Sequence, residues 1–395
     1  MSARFQTKCF QTRRARQLGV TLIELMISLM LGLLVIGGVL GIFLANREAN
    51  RDTESLARIQ ESARLAFDVM GSALREIGGN PCGVSPNRIV VSGSTFFDAP
   101  APTLPAGTTH GTLADWSLLG RNGALLGPDD GKEYLPGGTA VAVKYLAGDS
   151  IRILSAGAAS TAGFAASAAA PVEQITATEL VFSNGLQDFG KSGLGERVAA
   201  YMLCDYSHGV IGPGATSLTA AAAPFDVNIV TCPATCPDPY QIHTFKTSEG
   251  AVDAKPGTVL SRLMGTVWYV GKPDVAGARS GLYVKVVGED NGMGVAVEIA
   301  PDVTGMELEY LLRNDPDAPG ADTDDFAGWV ALDATYGDAG SVPDDRWDDV
   351  VAVRVTLTLT NDSTLAANNP KRFERTLATT INLRNRLSPT LEEGT

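Results

Sequence analysis

The chain has 395 residues, 45% of them hydrophobic and 19% charged, and a formal net charge of −13. That length has room for more than one domain, and the composition supports a packed core and excludes wholesale disorder. Residues 1–19 hold Arg4, Lys8, Arg13, Arg14 and Arg16 and no acid. Removing those five positive charges from −13 leaves −18 on the rest, a body that repels nucleic acid.

The first element follows the basic stub. From Leu25 to Ala45 there are 21 residues without a charge. As a helix such a run reaches about 31 Å, the thickness of a bilayer's hydrocarbon core. Basic residues precede it, so the positive-inside rule leaves the stub in the cytoplasm and sends the body outward. A secretory signal has a shorter apolar core with a small-residue cleavage site after it. Here the processing point, Gly19, lies before the run, and cutting there removes the charges while keeping the helix. Glu24 stands at the head of the run. A carboxylate in lipid costs on the order of 2.5–3.5 kcal/mol at a helix centre and less near the end, and it is tolerated when a positive partner is present.

Together "GVTLIELMISLMLGLLVIG" (19–37) resembles the class III signal of type IV prepilins and type II secretion pseudopilins. The resemblance implies that prepilin peptidase cuts between Gly19 and Val20 and that the new amine of Val20 is methylated. It makes Glu24 the fifth mature residue, where the family has a glutamate. Val20 departs from the phenylalanine usual at that position. In a helical stack, Glu24 of one chain can then meet the Val20 amine of a neighbour and fix the register. Gly32, Gly37, Gly38 and Gly41 punctuate the run; Gly37 and Gly41 have the small-xxx-small spacing that lets helices approach closely, and the same glycines suit an ordinary membrane helix.

Beyond Asn46 the character changes. Leu56, Ile59, Ala63, Phe67, Met70, Leu74 and Ile77 recur at steps of three and four, one face of an amphipathic helix. Glu54–Arg58 and Glu61–Arg64 support its polar face, and Gly78–Gly79 with Pro81 end it. A continuous helix from Val20 to Ile77 is expected, greasy all round in its first half and amphipathic in its second.

From residue 88 the signal is period two. "GMELEYLLR" places Met306, Leu308, Tyr310 and Leu312 on one face. "VVAVRVTLTLT" places Val351, Val353, Val355, Leu357 and Leu359 opposite Arg354, Thr356 and Thr358. "FERTLATTINLR" places Phe373, Leu377, Ile381 and Leu383 inward. Shorter runs surround Ile151, Val181, Val267, Val284 and Val297. The small-residue tracts 156–171 and 213–224 read as exposed loops. The expected fold is α+β and pilin-like: a long N-terminal helix packed on an antiparallel sheet with long loop insertions. Its parts are a removed leader (1–19), a membrane and polymerisation helix (20–45), an amphipathic half (46–78) and a periplasmic sheet domain (79–395).

"LARIQESARLAFDVMGSALREIGGNPCG", "VVAVRVTLTLT" after Trp347 and the closing "RFERTLATTINLRNRL" resemble the PilW family of minor pilins, with the J-type pseudopilins similar in plan. The likeness covers both ends of the chain and fits the middle, roughly 95–260, poorly. "GGNPCG" departs from the aromatic residue often found after the first glycine. The resemblance implies a non-enzymatic subunit held in the inner membrane with its body in the periplasm, then assembled into a type IV pilus at the cell surface. It implies a part in priming assembly near the tip, in adhesion and in twitching. The partners implied are prepilin peptidase, other minor pilins, the major pilin, a tip adhesin and inner-membrane lipid, with no cofactor.

Cys204, His208, Cys232 and Cys236 have the look of a four-ligand zinc site. Outside the reducing cytoplasm cysteines oxidise, and zinc would strand Cys82, so two disulfides are the preferred reading. Of the three pairings, Cys232–Cys236 with Cys82–Cys204 is adopted. Asp315, Asp317, Asp322, Asp324 and Asp325 could hold calcium but lack EF-hand spacing; a solvated loop is preferred, and "PDDRWDD" (343–349) reads the same way. His110, His208 and His243 lie in no nucleophile motif, and neither G-x-S-x-G nor a P-loop occurs. A membrane-tethered periplasmic enzyme or binding protein is the alternative from another class.

Overall fold

The apolar run and the amphipathic stripe form one helix, α1, Leu22–Arg75. Its first turn is closed by the Glu24 and Leu25 amides, both donating to the Thr21 carbonyl at 3.1 Å. The computed structural model describes residues 21–91, 111–123, 132–134, 140–156, 169–175, 179–182, 200–206, 209–213, 225–226, 252–253, 258–287, 296–314, 326–332, 346–361 and 373–386. The chain divides into two compact units, Met1–Ala57 and Arg58–Thr395.

In the first unit every described residue from Thr21 to Asn50 is exposed. In the second, α1 buries Ile59, Ser62, Ala63, Ala66, Met70, Gly71, Ala73 and Leu74. The expected stripe is there but rotated toward its small residues: Ala66 is fully buried and Phe67 only half. A side chain added at Gly71 would touch Ile381 at 3.7 Å, so this face sits close on the sheet. Helical bonding stops at Arg75, two residues before the expected end, and a turn follows. Gly78 takes φ +67, the left-handed conformation that ends a helix without penalty only for glycine. Its amide donates to the Leu154 carbonyl at 3.1 Å.

The strands follow in chain order. β1 (Ile89–Val91), β2 (Gly111–Thr112), β3 (Leu118–Asn122), β4 (Lys132–Tyr134), β5 (Ala140–Tyr145) and β6 (Asp149–Ala156) come first, with a one-turn helix α2 (Leu113–Trp116) before β3. β7 (Ala169–Ile175), β8 (Glu179–Phe182), β9 (Ala200–Cys204), β10 (Gly209–Pro213), β11 (Phe225–Asp226) and β12 (Val252–Asp253) are next. β13 (Val259–Pro273), β14 (Gly281–Val287), β15 (Ala296–Pro301), β16 (Val303–Arg313), β17 (Phe326–Ala331), β18 (Val350–Asn361) and β19 (Phe373–Asn382) complete the described set. The tract 156–171 is therefore strand at both edges, in β6 and β7; its centre and 214–224 lie outside the described residues.

Two sheets result. The smaller has the order β17-β16-β18-β19, all antiparallel. Its inner face carries Met306, Leu308, Tyr310, Leu312, Val353, Val355, Leu357, Leu359 and Ile381, each 3% exposed or less, as alternation requires. Leu377 is half-buried, Leu383 is buried, and the side chain of Phe373 lies outside the described set. The larger sheet is organised by β13, which pairs β9 and β7 at its start, β6 and β14 in its middle and β5 at its end. Among the described residues one pair in it is parallel, Ile89–Val91 with Gly209–Ile211, made by segments far apart in sequence.

The sheets meet at the corner between β5 and β6. Gly148 has φ +88, and a Cβ there would fall 2.9 Å from the Met306 nitrogen and nearer still to its carbonyl oxygen. Next to it the Asp149 carboxylate accepts the Leu308 amide at 2.7 Å. A Cβ at Gly120 of β3 would overlap the Tyr310 hydroxyl. Glycines at 120 and 148 therefore let the two sheets close on each other.

Behind this seam lies a buried cation, Arg386, 6% exposed. It donates to the carbonyls of Trp347 and Ala114 and, at 2.7 Å, to the Ser117 hydroxyl. Burial lowers its pKa to about 10, opposed by Asp348, Asp115 and Asp349, so it stays charged at neutral pH. Neighbouring Asn385 donates to the Ile77 carbonyl at 2.9 Å, satisfying an orphan acceptor at the end of the helix. "PDDRWDD" is thus not a plain solvated loop where it is described. Trp347 is 2% exposed, Asp349 accepts from Arg346 at 2.8 Å, and burial pushes Asp348 up to about 6.

Replacing Gly148 with alanine imposes a strained left-handed conformation and a backbone collision together. A loss of about 2–4 kcal/mol in chemical-denaturant stability is expected for Gly148→Ala, read from the midpoint at unchanged slope.

Candidate functional site: the exposed N-terminal helix

Seventeen large apolar side chains from Leu22 to Leu44 are each more than half exposed. Scattered apolar residues on a surface mean little, but a contiguous array of this extent marks a lipid or protein contact. The helix is long and apolar enough to cross a membrane, and none of its most apolar window is buried in the chain. Nothing lies within 4 Å of a Cβ built at Gly32, Gly37, Gly38 or Gly41.

Glu24 sits in the first turn of α1, exposed, and its carbonyl accepts the Ser28 hydroxyl at 2.7 Å. A carboxylate here is favoured by the helix's own positive end, where amides without intrahelical acceptors gather. Gly19 and Val20, the expected cleavage pair, lie outside the described residues. So do His110, His208, Cys232, Cys236, His243 and the acidic residues from Asp315 to Asp325. Among the described residues no group of three or more His, Cys, Asp or Glu is placed to hold a metal ion.

Cys82 and Cys204 are joined, with Cα atoms 6.1 Å apart across 122 residues of sequence. The loop carrying Cys82 is shaped by Asn80, whose side chain accepts the Val84 amide at 3.1 Å and donates to its carbonyl at 2.7 Å. Cys204 is fully buried at the end of β9, beside Gly209, where a Cβ would fall 3.0 Å from that of Cys204. The bridge therefore ties the chain just past α1 to the larger sheet. Sequence reasoning missed Arg386 and Asp149 as structural hubs. The only trace of either was a charged residue next to a period-two run, which usually signals a strand end.

The family described as the prokaryotic N-terminal methylation motif matches residues 14–40. No curated protein and no solved structure matches the chain. The motif and the apolar helix that it opens support a type IV pilin-like protein, in a pilin or pseudopilin role. Such a motif implies processing by prepilin peptidase and assembly partners of the pilus type, and proteins that carry it are generally structural rather than catalytic.

Closing a loop of 122 residues removes unfolded-state entropy worth about 5 kcal/mol in the chain-entropy account. Cys82→Ser is expected to lower stability by a large part of that. A reductant should destabilise the unsubstituted chain much more than the variant, in which only the short loop of the expected Cys232–Cys236 bridge is left to open, compared by urea unfolding in detergent.

Proposed function

We propose that the protein is a minor pilin of the PilW type, a non-enzymatic subunit that primes type IV pilus assembly near the tip and supports adhesion and motility. The single observation behind this reading is the coincidence, in one segment, of basic stub, Gly19, Glu24 and an exposed apolar helix. Removal of residues 1–19 withdraws the charges that hold the stub in the cytoplasm and leaves a free amine at Val20. That amine, methylated, is the counter-charge for Glu24 of an adjoining subunit. In lipid or in a dry fibre core the pair is strong because the dielectric is low and neither group has water as an alternative. The body stands on the periplasmic side until the helix leaves the bilayer for the fibre.

The sheet domain supports a pilin plan, since a four-stranded antiparallel sheet receives the amphipathic part of α1 on one face. It equally suits a J-type pseudopilin of type II secretion, which is the second reading. Deletion separates the two: loss of twitching with secretion intact favours the pilus, and the reverse favours the secretion system. A membrane-tethered enzyme or binding protein would use the helix as an anchor alone.

The intact mass of the membrane-extracted protein is expected to correspond to a chain starting at Val20 with one added methyl; a chain retaining Met1 to Gly19 refutes the assignment. Glu24→Ala is expected to leave a processed, stable, membrane-held protein that enters fibres at least tenfold less, measured by quantifying the subunit in sheared pili. Normal incorporation of that variant would favour the anchor reading.

A further inference from the structure

We propose that the Gly148–Asp149 corner is a proton-operated clasp between the two sheets: with a proton on Asp149 it holds β16 against β6, and loss of that proton loosens the seam. The inference is independent of the N-terminal segment and stands on the geometry of the corner. Asp149 opens β6 and is 6% exposed. Its Oδ2 accepts the Leu308 amide of β16 at 2.7 Å, a bond that crosses from the larger sheet to the smaller. The turn before it is fixed from both sides. The Tyr145 hydroxyl donates to the Gly148 carbonyl, the Gly123 amide donates to the same carbonyl at 3.2 Å, and the Ser150 hydroxyl donates to the Gly123 carbonyl. Gly148 lies on the backbone of Met306, two residues before Leu308. The carboxyl group therefore cannot swing out to water without opening the contact between the sheets.

The groups around Asp149 do not favour its charge. From β16 it faces Glu307, an acid, and Tyr310, whose fully buried hydroxyl has no hydrogen-bond partner. From β3 its ladder partner is the neutral Asn122, and the adjacent Arg121 is exposed. On its own strand and turn stand Ser150 and Tyr145. One amide hydrogen bond is left to stabilise the ionised form, against burial and a neighbouring acid. Burial, with Glu307 adding to it, pushes the carboxyl up to about 6 from an ordinary 3.8. A group raised in the folded state contributes stability that is complete below its unfolded value and is lost as pH rises through its folded value. The clasp is therefore closed in acid, loosens as pH rises from about 4, and is fully weakened above about pH 6.

The neutral carboxyl keeps an oxygen for the Leu308 amide and brings no charge into the seam. Asp149→Asn reproduces that state permanently, since its amide oxygen can accept the same bond.

The test uses the full processed chain in detergent micelles, with hydrogen exchange at the Leu308 amide corrected for the intrinsic pH dependence of exchange. Between about pH 5 and about pH 7.5 its protection is expected to fall by up to about tenfold, because roughly one of the two pKa units that separate the folded from the unfolded value is realised in that interval. Asp149→Asn should hold the acid level of protection at both values. Asp348→Asn, which removes the half-buried acid that is also raised to about 6, should leave the Leu308 dependence in place. Equal protection at the two pH values, or the same fall in Asp149→Asn, overturns the proposal. Should Asp149→Asn fail to fold, the carbon-labelled aspartate resonances of the unsubstituted protein decide. One carboxyl must titrate near 6 together with the Leu308 amide shift, and the absence of such a pair refutes the clasp.

Discussion

Apolar surface that cannot be buried within its own chain is the constraint on which the molecule's behaviour depends. Seventeen large side chains between Leu22 and Leu44 stand in solvent reach. Removing them from water is worth on the order of 30 kcal/mol at about 2 kcal/mol each, more than the net stability of an ordinary domain. Leaving that array in water is costly, which is consistent with a helix that serves as a membrane anchor. The acidic body has the opposite preference. A chain with such a division suits a boundary between water and an apolar phase, and the N-terminal methylation motif at residues 14–40 covers the start of its apolar half.

The portion of α1 from Arg58 onward solves a different problem. Its buried residues are mostly small: Ser62, Ala63, Ala66, Gly71 and Ala73, with Ile59, Met70 and Leu74 between them. Small side chains let the helix axis come close to the sheet, where Ile381 of β19 reaches the helix face at Gly71. Phe67, which the three-four spacing placed in the stripe, is displaced to the flank because a large ring at the centre would hold the helix away.

Period-two alternation read β16 and β18 almost residue by residue because each has one dry face and one wet one, and burial is the only variable that such a pattern reports. The apolar helix and its glutamate were equally plain, since a bilayer-length run admits few alternatives. β13 was seen only near Val267. Its fifteen residues pair on both sides and carry no clean alternation, so a strand central to the fold left little mark. The parallel contact of β1 with β10 and the bond from Asp149 to Leu308 join residues more than a hundred positions apart. Nothing local in the sequence encodes such pairings. Asp348 looked like one more charge in an acidic stretch until Arg386, arriving at the far end of the chain, gave it a buried neighbour.

These non-local ties share a location. Within about ten residues of the end of α1, Asn385 holds the Ile77 carbonyl, the Gly78 amide bonds to Leu154, the Gly79 carbonyl accepts the Ala156 amide, and Cys82 is bridged to Cys204. The connections enter three parts of the body: the C-terminal turn, β6 at Leu154 and Ala156, and β9. A load reaching the end of α1 would therefore be shared among β6, β9 and the C-terminal turn and not carried by the single peptide link after Arg75. Hydrogen bonds alone yield in sequence under load, because each is worth only about 1 kcal/mol net. A covalent bridge placed beside them sets a limit that they cannot.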